Sequence, residues 1–359
     1  MPADDLSGGN RVVATYAQRL QARGHQVLVV SNAPDRPTLR ERLRRLRRGE
    51  AGAFASPPAP QPGHVALSGV PQRTLERPRP IEARDLPDAD VLVATWWETA
   101  VWMHRMPAAK GRRVHLIQDY ESWGGPAERA ALHAALRLPN LKVAISEGLR
   151  RTLLDALGEL DVTVVPNAVD LERFDAPERE RGAIPTVGFV YGRMPRKAAD
   201  VYARACALAR QKLPRLRVLA FGAETPTPEA PLPPDTEFFH RPPQDTLACL
   251  YARCDAWLFA SRHDSFGLPI LEAMACRTPV IGVPVGAAPE LLADGAGVLV
   301  PPESPQAIAD AIVALCSAPA AEWRRMSERA HARAHAWTWD AATDRLLQAL
   351  AATTGETSR

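Results

Sequence analysis

The chain has 359 residues, which at about 150 residues per domain favours two domains. Hydrophobic residues make up 46% and charged residues 24%, an ordinary globular balance that excludes wholesale disorder. The net charge of +3 is too small to argue for nucleic acid by itself, and none is expected as a partner.

Five cysteines, Cys206, Cys249, Cys254, Cys276 and Cys316, all lie in the second half, none in a CxxC pair. That predicts neither a disulfide scaffold nor a structural zinc site, and it fits a reducing compartment. The first residues, Met1, Pro2, Ala3, Asp4 and Asp5, lack the apolar core of a leader. No apolar run is long enough to span a bilayer. A cytoplasmic protein is the expectation.

A glycine loop, Ser7-Gly8-Gly9-Asn10, comes almost at once. An open parallel sheet usually starts with a strand leading into such a loop, and residues 1–6 make a poor strand. The reading is that a central first strand is missing or starts upstream, which would leave backbone groups unpaired. Val12, Val13, Tyr16, Ala17 and Leu20 then recur at helical spacing, with Gly24 as the stop. Residues 27–30 read as a short buried strand.

Thr38 and Glu41 have the spacing of a capping box. Leu39, Leu43 and Leu46 follow as one stripe, surrounded by Arg40, Arg42, Arg44, Arg45, Arg47 and Arg48. This basic amphipathic helix suits a solvated surface, or peripheral contact of residues 38–48 with an anionic membrane face or an acidic acceptor. Residues 49–80, rich in Pro, Gly and Ala without a period, read as a long loop.

Short apolar strands recur at 91–94, 114–117, 143–145 and 162–165. Asp88-Ala89-Asp90 carries the letters of a metal-holding pair, but it precedes a strand instead of following one and reads as a strand-entry loop; no metal is expected. Trp96, Trp97 and Trp102 suit core packing or a sugar-stacking pocket equally. A charged, proline-containing stretch at 175–184 marks a boundary. Strands then restart at 187–191, 218–221, 256–260, 280–283 and 298–300, with helical stretches between them. Such a rhythm reads as two doubly wound α/β domains with parallel sheets. The divisions are 1–175, 176–335 and a final segment 336–359.

The richest segment is 261–290. A strand ends near Ala260, and a loop follows with Asp264, Ser265, Phe266 and Gly267. Pro269 suits the first helical position, which puts Glu272 in the first turn beside Asp264. A helix N-terminus with free N–H groups is a natural diphosphate site, and two carboxylates there suit sugar and ribose hydroxyls. The plainer alternative is that each carboxylate only caps the helix.

The run Asp264-Ser-Phe-Gly-Leu-Pro-Ile-Leu-Glu272 resembles the Glu-x7-Glu motif of retaining glycosyltransferases of family 4, which have the GT-B fold. Several other stretches resemble that family in the same order. They are residues 7–11, 145–147 and 165–170; Tyr191-Gly192-Arg193 with Lys197; Gly286 to Glu290; 294–295 and 299–302; and Trp337-Thr338-Trp339-Asp340. The resemblance implies two Rossmann-like domains facing a cleft, with a C-terminal helix crossing back to the N-terminal domain. It implies transfer of a sugar from a nucleoside-diphosphate donor (dTDP, GDP or UDP linked) to a glycan, glycolipid or polysaccharide acceptor, with no cofactor. Retention would follow from a front-face route in which the leaving phosphate helps to take the acceptor proton.

Carried over residue by residue, Arg193 and Lys197 would bind the diphosphate, and Glu272 the ribose. Gly267 and Leu268 would offer backbone N–H groups. Gly8 and Gly9 would let backbone approach from the other domain. Three departures stand out. Asp264 replaces the usual Glu, and Gln118 stands where a His is common. The first strand is missing. The run 117–123 is closer to a rhamnosyltransferase-like branch, and Asp119 suits an acceptor hydroxyl or a base. A GT-B epimerase and a non-catalytic partner of a transferase are the other readings.

Overall fold

A computed structural model describes residues 1–34, 47 and 62–352. The basic segment 38–48 therefore lies outside the described residues, Arg47 apart. No helix among the described residues is long and apolar enough to cross a membrane. The chain divides into two compact units. One is Met1–Val143 with Leu160–Thr163, and the other is Ala144–Glu159 with Val164–Arg359.

The first half begins with helix α1 (Gly8–Ala22), capped by the Ser7 side chain, which accepts from the Asn10 N–H. It stops where Gly24 takes φ +88. Strand β1 (Val29–Ser31) pairs in parallel with β2 (Gln72–Thr74), a short helix α2 (His64–Leu67) lying between them in the chain. The described part of the expected loop 49–80 is thus partly regular. Strand β2 reads Gln-Arg-Thr and is largely exposed, so it carries no apolar signal.

Strands β3 (Val91–Ala94), β4 (Arg112–Ile117), β5 (Leu141–Ala144) and β6 (Thr163–Val164) form a separate sheet in that order. Helices α3 (Trp97–His104), α4 (Pro126–Leu136) and α5 (Glu147–Leu157) connect them. Met1 lies alongside β1: its ammonium donates to Val30 O at 2.7 Å, and its carbonyl accepts from Asn32 N. Burial pushes this amine down to about 5.

The second half holds one six-stranded sheet, ordered β12-β11-β10-β7-β8-β9 and parallel throughout. Its strands are β7 (Thr186–Val190), β8 (Arg217–Gly222), β9 (Thr236–His240), β10 (Ala256–Phe259), β11 (Val280–Gly282) and β12 (Gly297–Leu299). The helices between and after them are α6 (Ala199–Lys212), α7 (Leu247–Ala252), α8 (Leu268–Ala275), α9 (Ala288–Leu291), α10 (Pro305–Ser317), α11 (Ala320–His335) and α12 (Trp339–Ala352). The central strands β7 and β10 are nearly all apolar and buried, as a sheet covered on both faces requires. Strand β9 escapes the apolar rhythm because it is an edge strand, half-exposed along its length. Thr338 bridges Val169 in parallel just before α12.

Candidate functional site

Strands β7 and β10 are parallel neighbours, with Val187 opposite Ala256. Their carboxyl ends therefore lie at one sheet edge, and the segments that follow them, 191–198 and 260–267, come out side by side. This is where open α/β sheets bind ligands.

After β7 the chain turns at Gly192, where a Cβ would stand 3.0 Å from Lys197 Cγ. Lys197 ends a 3-10 turn (Pro195–Lys197), and Ala198 follows in the left-handed region at φ 56. That path carries Lys197 Nζ to 3.2 Å from Asp264 Oδ2, with the two side chains 29% and 21% exposed. Burial alone would raise the Asp264 carboxyl. The Lys197 charge and the N–H groups of Phe266 and Gly267 outweigh it and hold the group below the usual carboxylate range. Asp264 is therefore an anion at neutral pH, next to a cation.

Arg193 is fixed by Glu224, just past β8. Its backbone N–H and its Nε donate to the two Glu224 oxygens at 2.8 and 3.0 Å. The backbone N–H, then burial against it, then the Arg193 side chain set the Glu224 carboxyl below its ordinary range. Arg262 is forked between Asp200 and Glu303 in the same region of the chain. All three carboxylates that hold these arginines lie far from them in sequence.

Gly267 caps α8 at φ +89, where a Cβ would press on Phe259 and Ile270. The helix begins at Leu268, with Pro269 second. Glu272 is thus its fifth residue and not in the first turn, which contains no acidic residue. The first-turn placement is corrected: the left-handed glycine starts the helix one residue earlier than the proline signal suggests. Glu272 is also buried, 4% exposed, and its Oε2 accepts from Tyr251 OH at 2.6 Å. The structure brings Asp264 to Lys197, but it seats Glu272 against α7.

A cavity of about 380 Å³ adjoins Asp264, lined among others by Arg151, Arg262, His263, Val285 and Gly286. Two close contacts build its walls. Ser146 Oγ donates to Ser265 O at 2.6 Å while accepting from Leu149 N. Gly148 packs on the Gly286 carbonyl so closely that a Cβ could not fit. Glu290 Oε1 is buried without a hydrogen-bond partner, and burial raises that carboxyl.

In the first unit, Gly8 and Gly9 are the first residues of α1 and not a free loop, because Ser7 already caps the helix. Gln118 follows β4, and its amide reaches the Gly9 backbone, 3.4 Å from where a Cβ would stand. Asp119 accepts from Tyr120 N at 2.8 Å. His115 is a buried strand residue, pushed down to about 3 by burial and then by Lys142, so it stays neutral. Asp88 and Asp90 precede β3, and Asp88 pairs with Lys110. Trp102 packs beside Val30, Leu75, Ile81 and Met106.

Sequence reading missed Glu121. It is 4% exposed and accepts from Trp97 N at 3.2 Å. Burial first, and the Asp119 and Glu98 charges after it, push its carboxyl up to about 8 against the lowering Trp97 N–H. It missed Glu224 and Tyr251 as well. The available signal was position: Glu224 stands two residues past a buried strand.

Two family descriptions match the chain. Glycosyltransferase Family 4 covers residues 6–173, and Glycosyl transferases group 1 covers residues 184–318.

The chain is thus built of two glycosyltransferase-family segments in succession.

Among its curated relatives are D-inositol 3-phosphate glycosyltransferases. That of Mycobacterium avium is 35% identical over 209 residues, covering 52% of this chain and 48% of that protein. That of Kineococcus radiotolerans is 33% identical over 259 residues, covering 62% and 58%. The chain spans about half the length of the curated relatives it matches. The fold of this chain is shared with two solved structures. Sucrose-phosphate synthase of Thermosynechococcus elongatus has a TM-score of 0.73 at 18% identity, covering 99% of this chain and 97% of that one. HepE of Anabaena in complex with UDP-glucose has a TM-score of 0.72 at 18% identity, covering 98% and 99%. The fold is GT-B.

Proposed function

We propose that this protein is a glycosyltransferase that moves a sugar from a nucleoside diphosphate to a glycan, glycolipid or polysaccharide acceptor, with retention at the anomeric carbon. One observation carries the reading: Lys197 and Asp264 meet as an ion pair where two neighbouring parallel strands end, with α8 starting four residues after Asp264. Lys197 and Arg193 receive the diphosphate. A point charge and a planar fork suit two phosphates, and each cation is already oriented by a carboxylate. The first turn of α8 adds N–H dipoles from Gly267 and Leu268. Asp264, kept ionised, accepts from a donor-sugar hydroxyl. In the first unit, Gln118, Asp119 and the α1 start at Gly8 and Gly9 serve the acceptor side. The leaving diphosphate takes the acceptor proton, so the protein supplies positioning and charge stabilisation.

The UDP and UDP-glucose carried by the HepE structures support a UDP-linked donor. A dTDP-linked donor would instead favour the rhamnosyltransferase-like branch. In the same reading the arginine-rich run 38–48 contacts an anionic membrane face.

The test is thermal unfolding of the full chain with UDP, GDP, dTDP or ADP, for wild type and for the Arg193→Ala/Lys197→Ala double variant. A nucleotide at 100 times its dissociation constant adds about 2.7 kcal/mol to the wild type. The expected result is stabilisation by one nucleotide in the wild type and not in the variant. Stabilisation by none of the four, from a folded protein, would overturn the donor site.

A further inference from the structure

Away from these residues, α11 carries His331 and His335 one turn apart, which places both on one helix face. Asp175, from the segment after β6, meets that face. His331 Nε2 is 3.0 Å from Asp175 Oδ1, and His335 Nε2 is 3.7 Å from the same oxygen. The two rings lie 4.1 Å apart between centroids. One ligand atom from each of the three residues falls within 4.8 Å of the others.

We propose that Asp175, His331 and His335 form a binding site for a divalent transition metal ion of the zinc type. The donor set decides the class. Two imidazole nitrogens and one carboxylate suit zinc, nickel, cobalt or copper, whereas magnesium and calcium prefer oxygen ligands throughout. The spacing agrees. Metal bonds of about 2.0–2.2 Å place tetrahedral ligand atoms roughly 3.4 Å apart, so small side-chain rotations close the set. Access is open: the Asp175, His331 and His335 side chains are 55%, 18% and 39% exposed. Three protein ligands leave a fourth position for water.

Arg277 stands near His331, and its Nε donates to Ala176 O at 2.9 Å. Its charge makes the site weaker than a closed four-ligand one. A bound ion ties residue 175 to α11, whose end runs into Trp337. The Trp337 carbonyl already accepts from Val169 N. The metal thus clips the 175 end of the stretch 169–175 to α11, as the Val169–Trp337 hydrogen bond already holds the other end, and none of its ligands belongs to the donor site.

The experiment is cobalt and zinc titration of the metal-stripped full chain, read by calorimetry and by the visible absorption of bound cobalt. Magnesium is the control, and His335→Gln and Asp175→Asn are the variants. Both side chains lie at the surface, and unfolding without metal checks that each variant is folded. The expected result is one equivalent bound by wild type and an affinity loss of at least about tenfold in each variant, since even outer partners of metal ligands are worth 10–100-fold. Magnesium should give no signal. Equal binding by wild type and both variants would place the metal on the other histidines or cysteines and overturn the site. So would the absence of binding to the wild type.

Discussion

After β4 in the first unit, burial pushes the Glu121 carboxyl up, and the like charges of Asp119 and Glu98 add to it. At the β7–β10 edge of the second unit, three cations each face an opposite charge: Arg193 with Glu224, Lys197 with Asp264, Arg262 with Asp200 and Glu303. The backbones differ in the same sense. The second unit has one sheet of six strands, and the first has a pair and a set of four. A continuous sheet gives its edge loops fixed neighbours, so charges there can be stored in pairs and released to an anion. A carboxyl that burial has pushed up to about 8 does something else, because it keeps its proton at neutral pH.

The largest effect should come from the sheets. Phe189, in central strand β7, is fully buried and stacks on Tyr202 at 4.2 Å between centroids. Phe189→Ala should cost about 3–5 kcal/mol in urea unfolding. Val93, in β3 at the rim of the four-stranded set, is 45% exposed. Val93→Ala should stay within about 0.5 kcal/mol. Similar costs at the two positions would remove the contrast between a central and an edge strand.

Glu121→Gln sharpens the electrostatic half. The folded carboxyl sits at about 8, above the ordinary value of an unfolded chain, so the folded state holds its proton longer. The stabilising contribution is complete below the ordinary carboxyl range and is lost as pH rises through about 8. Wild-type stability should therefore fall between pH 5 and pH 8 by about 3–4 kcal/mol more than that of the variant. The glutamine keeps an acceptor for the Trp97 N–H. Parallel profiles for the two proteins would show that Glu121 ionises freely.

Much of this was legible beforehand, and the failures have physical causes. The strands that are buried on both faces, β7, β8, β10 and β11, stand out as apolar runs. Strands β2 and β9 do not, because exposed edges tolerate Gln72, Arg73 and Glu237. Lys197 and Asp264 were readable as candidates from local pattern. Their pairing was not, since it depends on β7 lying next to β10, and strand order is absent from the sequence. Glu224 was hidden for the same reason: only the β7–β8 pairing brings it to Arg193. Glu272 was misplaced by one helical position, and that single step takes it out of the first turn.

The smallest effect tests whether the paired cations are stored for a ligand or for stability. The Arg193 and Glu224 side chains are 50% and 35% exposed. Exposed ion pairs are worth about 0–1 kcal/mol, because solvent screens them and two long side chains must be held in place. Glu224→Gln should therefore leave the unfolding midpoint almost unchanged, with a slight gain in relative stability at acidic pH. The sign follows from the lowered carboxyl: its contribution is present above the ordinary carboxyl range and lost as pH falls through the folded value. The same variant also removes the negative charge that competes with a phosphate for Arg193. Nucleotide affinity should then stay level or rise, with its salt dependence retained. A fall in affinity together with a large loss of stability would show instead that Glu224 builds the loop, and that the pair belongs to the scaffold.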